Sequence, residues 1–270
     1  MSKERIAGTY DLVATDFDRV GPRIFSHSGR RLVEWMQIPE GIDVLDVATG
    51  RGAVLFPAAE RVGSRGHVMG IDLSAGMVRK VAVDARQAGL RQATICRMDA
   101  ERLGFGDSSF DLVLCGHAVF YFPHACQEFY RVLRPQGRVG LTMVSKGCLD
   151  WIFEVLEHHL PRESTGEDEE EEGVAINTIA GIAGIISQAC FEDVQVVEEE
   201  TDFVYKDQAE WWAALRTTGV RWSLEEVEAS VVRALKAEMF ERLQTFSRSD
   251  AIYVPHRLLY ASGRKATTSR

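Results

Sequence analysis

Val44-Leu45-Asp46-Val47-Ala48-Thr49-Gly50-Arg51-Gly52 is the stretch on which the reading of this chain turns. Apolar residues interrupted by one acid lead into a turn with two glycines, and the run from Ala53 to Arg61 has the pattern of a helix. The segment is therefore a strand, a tight loop and a helix start. Glycine tolerates positive φ and has no Cβ, so such a loop lets a ligand approach the backbone closely. The helix behind it turns N–H groups toward any anionic part of that ligand.

The next segments repeat the alternation. His67-Val68-Met69-Gly70-Ile71-Asp72 reads as a second strand ending in a carboxylate, about 20 residues after the loop, where a βαβ unit places the acid that accepts from ribose hydroxyls. Ser74 fills the capping role for a helix from Ala75 to about Ala88 that closes at Gly89. A third strand, Ala93 to Met98, runs into Asp99-Ala100-Glu101; a fourth spans Phe110 to Cys115; Arg131 to Val139 closes a helix and turns into a fifth. The glycines lie two apart and Ala48 takes the place of an earlier one, so the dinucleotide pattern G-x-G-x-x-G is not met and a nicotinamide dehydrogenase is disfavoured.

These motifs, in this order across Asp43 to Val144, resemble the class I S-adenosylmethionine (SAM) dependent methyltransferases of the small-molecule, secondary-metabolite type, similar also to the ubiquinone-biosynthesis C-methyltransferase group. The resemblance implies an α/β fold with a Rossmann-like, seven-stranded, mostly parallel sheet, helices on both faces and a helical lid. It implies SAM as cofactor and S-adenosyl-L-homocysteine as product. On the matching positions, Asp46, Ala48, Gly50 and Gly52 would lie against the cofactor, with Gly50 near its methionine part. Asp72 would take the ribose; the Asp99 side chain would accept from the adenine amine while the Ala100 amide donates to the ring; Leu73, Met77 and Cys115 complete the cofactor set. Relatives fold an N-terminal segment with a Tyr and an Asp or Phe over the site. Tyr10 (cofactor) and Phe17 (substrate) match that segment, or are ordinary packing residues.

Composition narrows the partners. The 270 residues carry 40 acids against 31 bases, a net charge of −9, without the clustered Lys and Arg that grip phosphate backbones, which disfavours nucleic acid. Met1 to Tyr10 lacks a signal-peptide run and no apolar stretch approaches the ~18 residues of a membrane span. The expectation is a soluble, cytoplasmic monomer or homodimer acting on a small-molecule methyl acceptor, with no membrane partner. Cys96, Cys115, Cys126, Cys148 and Cys190 are odd in number and lack C-x-x-C spacing, so they read as reduced and no metal is expected.

The remaining chain is organised around that core: a helical cover over 1–40, the SAM-binding core over 41–146, an insertion with an acidic loop and a core helix over 147–192, a core strand over 193–206, a helical lid over 207–250, and a last strand and tail over 251–270. Glu163 to Glu172 holds seven acids in ten positions, the pattern of a solvated loop. The lid's second helix is expected to start at the capping box Ser223-Leu224-Glu225-Glu226.

The loop after the fourth strand is the natural place for a general base, because ligands of open parallel sheets bind beyond the carboxyl ends of the strands. His117 is the candidate base for a hydroxyl acceptor, against a purely structural histidine; Tyr121 is a candidate hydrogen-bonding group for the substrate. His124 reads as a surface residue, and His158 and His159 reach the site only if their helix joins the lid. Trp211 and Trp212 are adjacent on a helix and point in different directions, so one is expected to face the substrate cavity, or both are structural. The acceptor atom, O, N or C, is not legible. A quinone C-methyltransferase and a SAM-binding auxiliary protein without turnover are the alternative readings.

Overall fold

The computed structural model describes residues 2–160, 174–225 and 227–267. Strands β1 (Asp43–Val47), β2 (His67–Asp72), β3 (Ala93–Arg97), β4 (Phe110–Gly116), β5 (Leu133–Val144), β6 (Glu192–Tyr205), β7 (Ser247–Arg248) and β8 (Ala251–Arg264) form one sheet of order β3-β2-β1-β4-β5-β8-β6, with two-residue β7 paired to β8. The first five pair in parallel, and β8 runs antiparallel to both β5 and β6. Beyond the expected seven strands lies only the short β7. β6 and β8 run past the stretches Asp193 to Glu198 and Ile252 to Ala261 that the sequence pattern marks as strand, and their paired ends at Phe203–Val254 and Tyr205–Ile252 lead to the lid.

β1 is buried throughout its centre, with Val44, Leu45 and Val47 at 0% exposure, as a strand covered on both faces must be. One face holds α2 (Ile24–Trp35) and α3 (Leu55–Val62); the other holds α5 (Cys126–Val132) and α7 (Ile179–Gln188), whose Ile182 and Ile186 are buried there. α4 (Ala75–Gln87) starts as expected, with Ser74 Oγ accepting from Met77 N at 3.0 Å. Strand order reverses between β1 and β4, so the crevice beyond their carboxyl ends is the sheet's switch point, where open α/β folds bind ligands.

The N-terminal cover is two helices, α1 (Lys3–Val13) and α2. Asp11 on α1 accepts from Gly76 N at 2.6 Å and from Ser74 Oγ, which docks α1 on the start of α4. The lid is built from α6 (Asp150–His159), α8 (Gln208–Leu215) and α9 (Ala229–Leu243), which share a core of Ile152, Val155, Trp211, Leu235, Met239 and Leu243. α9 does not start from Ser223: that residue lies buried in a 3-10 turn over Gly219–Leu224, and Glu228 occupies the cap position. Glu226, the acidic run Glu163 to Glu172 and the last residues of the tail lie outside the described residues. No helix among the described residues is long and apolar enough to cross a membrane.

Candidate active site

A cavity of about 1100 Å³, counted to its mouth, opens at the switch point between β1 and β4 under α1 and α2. Its wall includes twelve of the residues singled out from sequence: Tyr10, Phe17, Asp46, Ala48, Gly50, Asp72, Leu73, Met77, Asp99, Ala100, His117 and Tyr121. Two adjacent loops make its floor. In the first, Ala48 and Gly50 both take left-handed backbone, at φ 56° and 53°, and Gly50 N donates to Asp72 Oδ2 at 2.9 Å. That bond joins the β1 loop to the end of β2.

Asp46 and Asp72 are the electrostatic centre of the cavity. Asp46 Oδ2 accepts from Thr49 Oγ1 at 2.6 Å, while its Oδ1 is buried without a hydrogen-bond partner among the described residues. Burial, with the neighbouring Asp72 adding to it, pushes the Asp46 carboxyl up to about 7. Asp72 accepts from Gly50 N and Ser74 N, both at 2.9 Å, yet burial still raises it to about 6. Two partly protonated acids beside an orphaned carboxylate oxygen suit a cationic ligand that also offers hydroxyl donors.

His117 sits just beyond β4 at φ 55°, held by its own N–H donating to Thr142 O at 2.7 Å. Left-handed backbone costs a non-glycine residue about 1–2 kcal/mol, so this ring is placed against a local preference. Its Nε2 lies 2.6 Å from Ser28 Oγ on α2, and Phe25 meets the ring edge-on at a centroid distance of 5.3 Å. Burial, reinforced by the nearby His256, lowers His117 to about 4, so the ring is neutral at physiological pH.

The roof is aromatic. Phe17 stacks on Phe25 at 4.6 Å and meets Tyr10 edge-on at 5.8 Å; the Tyr10 and Tyr121 hydroxyls are 3.1 Å apart. Phe17 therefore both lines the cavity and packs, at 8% exposure, against Val13, Ala14 and Met77. Asp99 faces the cavity but is engaged: Lys3 Nζ donates to its Oδ2 at 2.6 Å and Glu101 N to its Oδ1 at 3.0 Å. Each carboxylate oxygen retains capacity for another donor.

Four sequence-derived candidates do not reach the cavity. Gly52, at φ 85°, is required by packing: a Cβ there would meet Phe56 at 2.4 Å and Val81 at 3.1 Å. Cys115 is at 0% exposure inside β4, paired with Leu141, its side chain committed to the core. Trp211 and Trp212, at 3% and 7% exposure, belong to the lid core, Trp211 stacked on Trp151 at 5.4 Å. Both indoles serve the contact between lid helices, which adjacency on a helix does not reveal.

Four positions have roles in the structure that the sequence did not assign to them. Ser28 orients His117 from 89 residues away. Asp18 accepts from Phe25 N at 3.2 Å and Ser26 N at 2.8 Å, capping α2 from outside the usual cap position. Arg51 fastens the cover to the loop, donating to Ala14 O at 2.6 Å and Thr15 O at 2.9 Å and pairing with Asp84. Asp11 docks α1 as described. Arg51 carried a signal as the residue between the two loop glycines, and Asp11 and Asp18 as members of the Tyr10-Asp11 and Asp16-Phe17-Asp18 stretches of the cover; Ser28 carried none.

Residues 44–137 match the family described as a methyltransferase domain. With the sheet order and the switch-point acids, that matched segment makes the chain similar to the class I SAM-dependent methyltransferases. Among its relatives, aklanonic acid methyltransferase DauC of Streptomyces sp. (strain C5) is 41% identical over 143 residues, covering 52% of this chain and 65% of the relative. Nocamycin O-methyltransferase of Saccharothrix syringae is 41% identical over 142 residues, covering 52% of this chain and 48% of that one. The match thus spans less than two thirds of either relative. In fold, the chain is similar to YcgJ of Bacillus subtilis, with a TM-score of 0.59, 18% identity, and 89% and 99% of the two chains covered.

Proposed function

We propose that this chain transfers a methyl group from SAM to an oxygen of a small molecule in secondary metabolism, with His117 as the proton acceptor. The observation that carries the reading is one cavity that holds the buried Asp46 and the half-buried Asp72 together with a neutral imidazole. The names of the two relatives at 41% identity, one of them an O-methyltransferase, support the reaction class and the oxygen acceptor.

When bound, SAM supplies a methyl carbon on a sulfonium that is electrophilic without further activation. The residues present suit it. Asp46 Oδ1, buried and lacking a partner, would accept from the ammonium, and the cation would in turn draw the Asp46 proton off. Asp72 would accept from the ribose hydroxyls, and the Gly50 turn leaves room for the methionine part.

The tautomer of His117 follows from Ser28. A serine hydroxyl has one proton, and Ser28 Oγ lies 3.0 Å from Ile24 O and 3.2 Å from Phe25 O, the carbonyls on its own helix. With that proton given to α2, Ser28 Oγ accepts from His117 Nε2–H, and Nδ1 is left with its lone pair, with no hydrogen bond among the described residues. We assign the proton to Nε2 on this ground. Nδ1 would take the proton of an acceptor hydroxyl placed beside the methyl group that bound SAM would supply. A base lowered to about 4 is matched to acidic hydroxyls, such as enols and acidic phenols, rather than to alcohols.

The setting proposed is cytoplasmic, with the chain a monomer or homodimer; the five unpaired cysteines support a reducing compartment. Labelled SAM incubated with a panel of phenolic, enolic and carboxylic polyketide-type acceptors tests the function. The expected result is label on oxygen, with kcat lowered by roughly 10²–10⁴ in His117→Ala while SAM binding is kept. Near-normal kcat in that variant on a competent acceptor would remove His117 from the chemistry, and SAM binding without transfer to any acceptor would favour an auxiliary role.

A further inference from the structure

Outside the cavity, one group of side chains is brought together by the tertiary structure alone. His158 and His159 close α6, and Glu238 projects from the middle of α9. Consecutive residues on a helix point about 100° apart, yet both rings turn to one carboxylate oxygen: His158 Nδ1 lies 3.0 Å and His159 Nε2 2.8 Å from Glu238 Oε2. The use of Nδ1 by one ring and Nε2 by the other absorbs the difference in direction. The three donor atoms all lie within 4.8 Å of one another.

We propose that His158, His159 and Glu238 bind a divalent transition ion of the zinc class and that the ion clamps the end of α6 to α9. Tetrahedral zinc with bonds of about 2.0–2.2 Å places its ligand atoms about 3.3 Å apart. The two N···O separations need to open by only a few tenths of an ångström, a matter of side-chain rotation. The donor set of two imidazoles and a carboxylate suits zinc, copper or nickel and disfavours magnesium and calcium, which take oxygen ligands. A metal would take the ring nitrogen of each histidine that faces the acid, with the ring's proton carried on its other nitrogen.

The placement defines what the ion does. His159 and Glu238 are half-buried and His158 is exposed at 71% of its side chain, which leaves a fourth position to water. Directly beneath, Val155, Leu156, Leu235 and Met239 form the contact of the two helices. None of the three ligands lines the cavity, so the ion acts on lid stability and not on methyl transfer.

The test is titration of the metal-free full-length protein with ZnCl₂ by calorimetry in a non-chelating buffer, beside thermal melts with and without zinc. One ion per chain is expected, with a rise in melting temperature, and with affinity lowered roughly tenfold or more in Glu238→Gln and in His159→Ala. Both variants should melt like the parent in EDTA, and cobalt in place of zinc should give the visible absorption of a four-coordinate nitrogen–oxygen site. Zinc binding that survives both substitutions would put the ion elsewhere, for example on the acidic run Glu163 to Glu172, and would overturn the proposal. So would the absence of binding by the parent. Neither outcome depends on the methyltransferase reading.

Discussion

Asp46→Asn should make the ligand-free protein more stable and a poorer binder of SAM, and both effects should depend on pH. The folded-state value of Asp46 is about 7 against an ordinary 3.8, because the carboxylate is buried with one oxygen unpaired and Asp72 beside it. Below 3.8 both folded and unfolded chains are protonated and the site costs nothing. As pH rises the unfolded chain ionises first, so the folded state loses about 1.36 kcal/mol per pH unit until its own value near 7 is passed. The full loss is about 4 kcal/mol, of which about 2.5 kcal/mol falls between pH 5 and pH 7. Asparagine keeps an oxygen for Thr49 Oγ1 and has no charge to bury. Urea unfolding of the two ligand-free proteins, followed by tryptophan fluorescence, should therefore show the variant's advantage growing by about 2–3 kcal/mol from pH 5 to pH 7 and flat above. Buried His117 and His256, both lowered to about 4, weaken the fold as pH falls from 6.5, but they are common to both proteins and cancel in the difference. At pH 8 the variant should bind SAM roughly tenfold or more weakly, for loss of a charge-assisted hydrogen bond worth about 1.5–3 kcal/mol. An advantage that does not change with pH, or undiminished affinity, would refute the account of Asp46.

Ser28→Ala should leave His117 without the group that fixes its tautomer, so nitrogen NMR of the ring should shift from an Nε2–H pattern toward a mixture, and kcat should fall by less than in His117→Ala with SAM affinity kept; an unchanged ring spectrum would reject the assigned tautomer. Trp211→Ala should cost roughly 3–5 kcal/mol of unfolding free energy through loss of its stack on Trp151, with SAM affinity retained below the melting range; a raised acceptor KM without a stability loss would return Trp211 to the substrate site.

The five parallel strands and the position of the Gly50 loop are legible in the sequence for a local reason. A strand buried on both faces is a mainly apolar run, as in Val44 to Val47 around Asp46, and a turn that needs positive φ calls for glycine, as at Gly50; both constraints act within a few residues. Asp46, Asp72 and His117 are legible as candidates for the same reason, since they lie in the last residues of a strand or just past it, and strand ends at a switch point converge. What faces what across the chain was decided only in three dimensions. Hydrophobic periodicity reports that Trp211 and Trp212 are apolar on a helix, not that Trp151 from α6 would stack on the first. The partnership of Ser28 with His117 spans 89 residues, and that of His159 with Glu238 spans 79. The proton on His117, the anchoring of the cover by Asp11 and Arg51, and the cluster between α6 and α9 all arise from such pairs. A hydrogen bond between distant segments leaves no periodic trace in either, so these features belong to the tertiary structure.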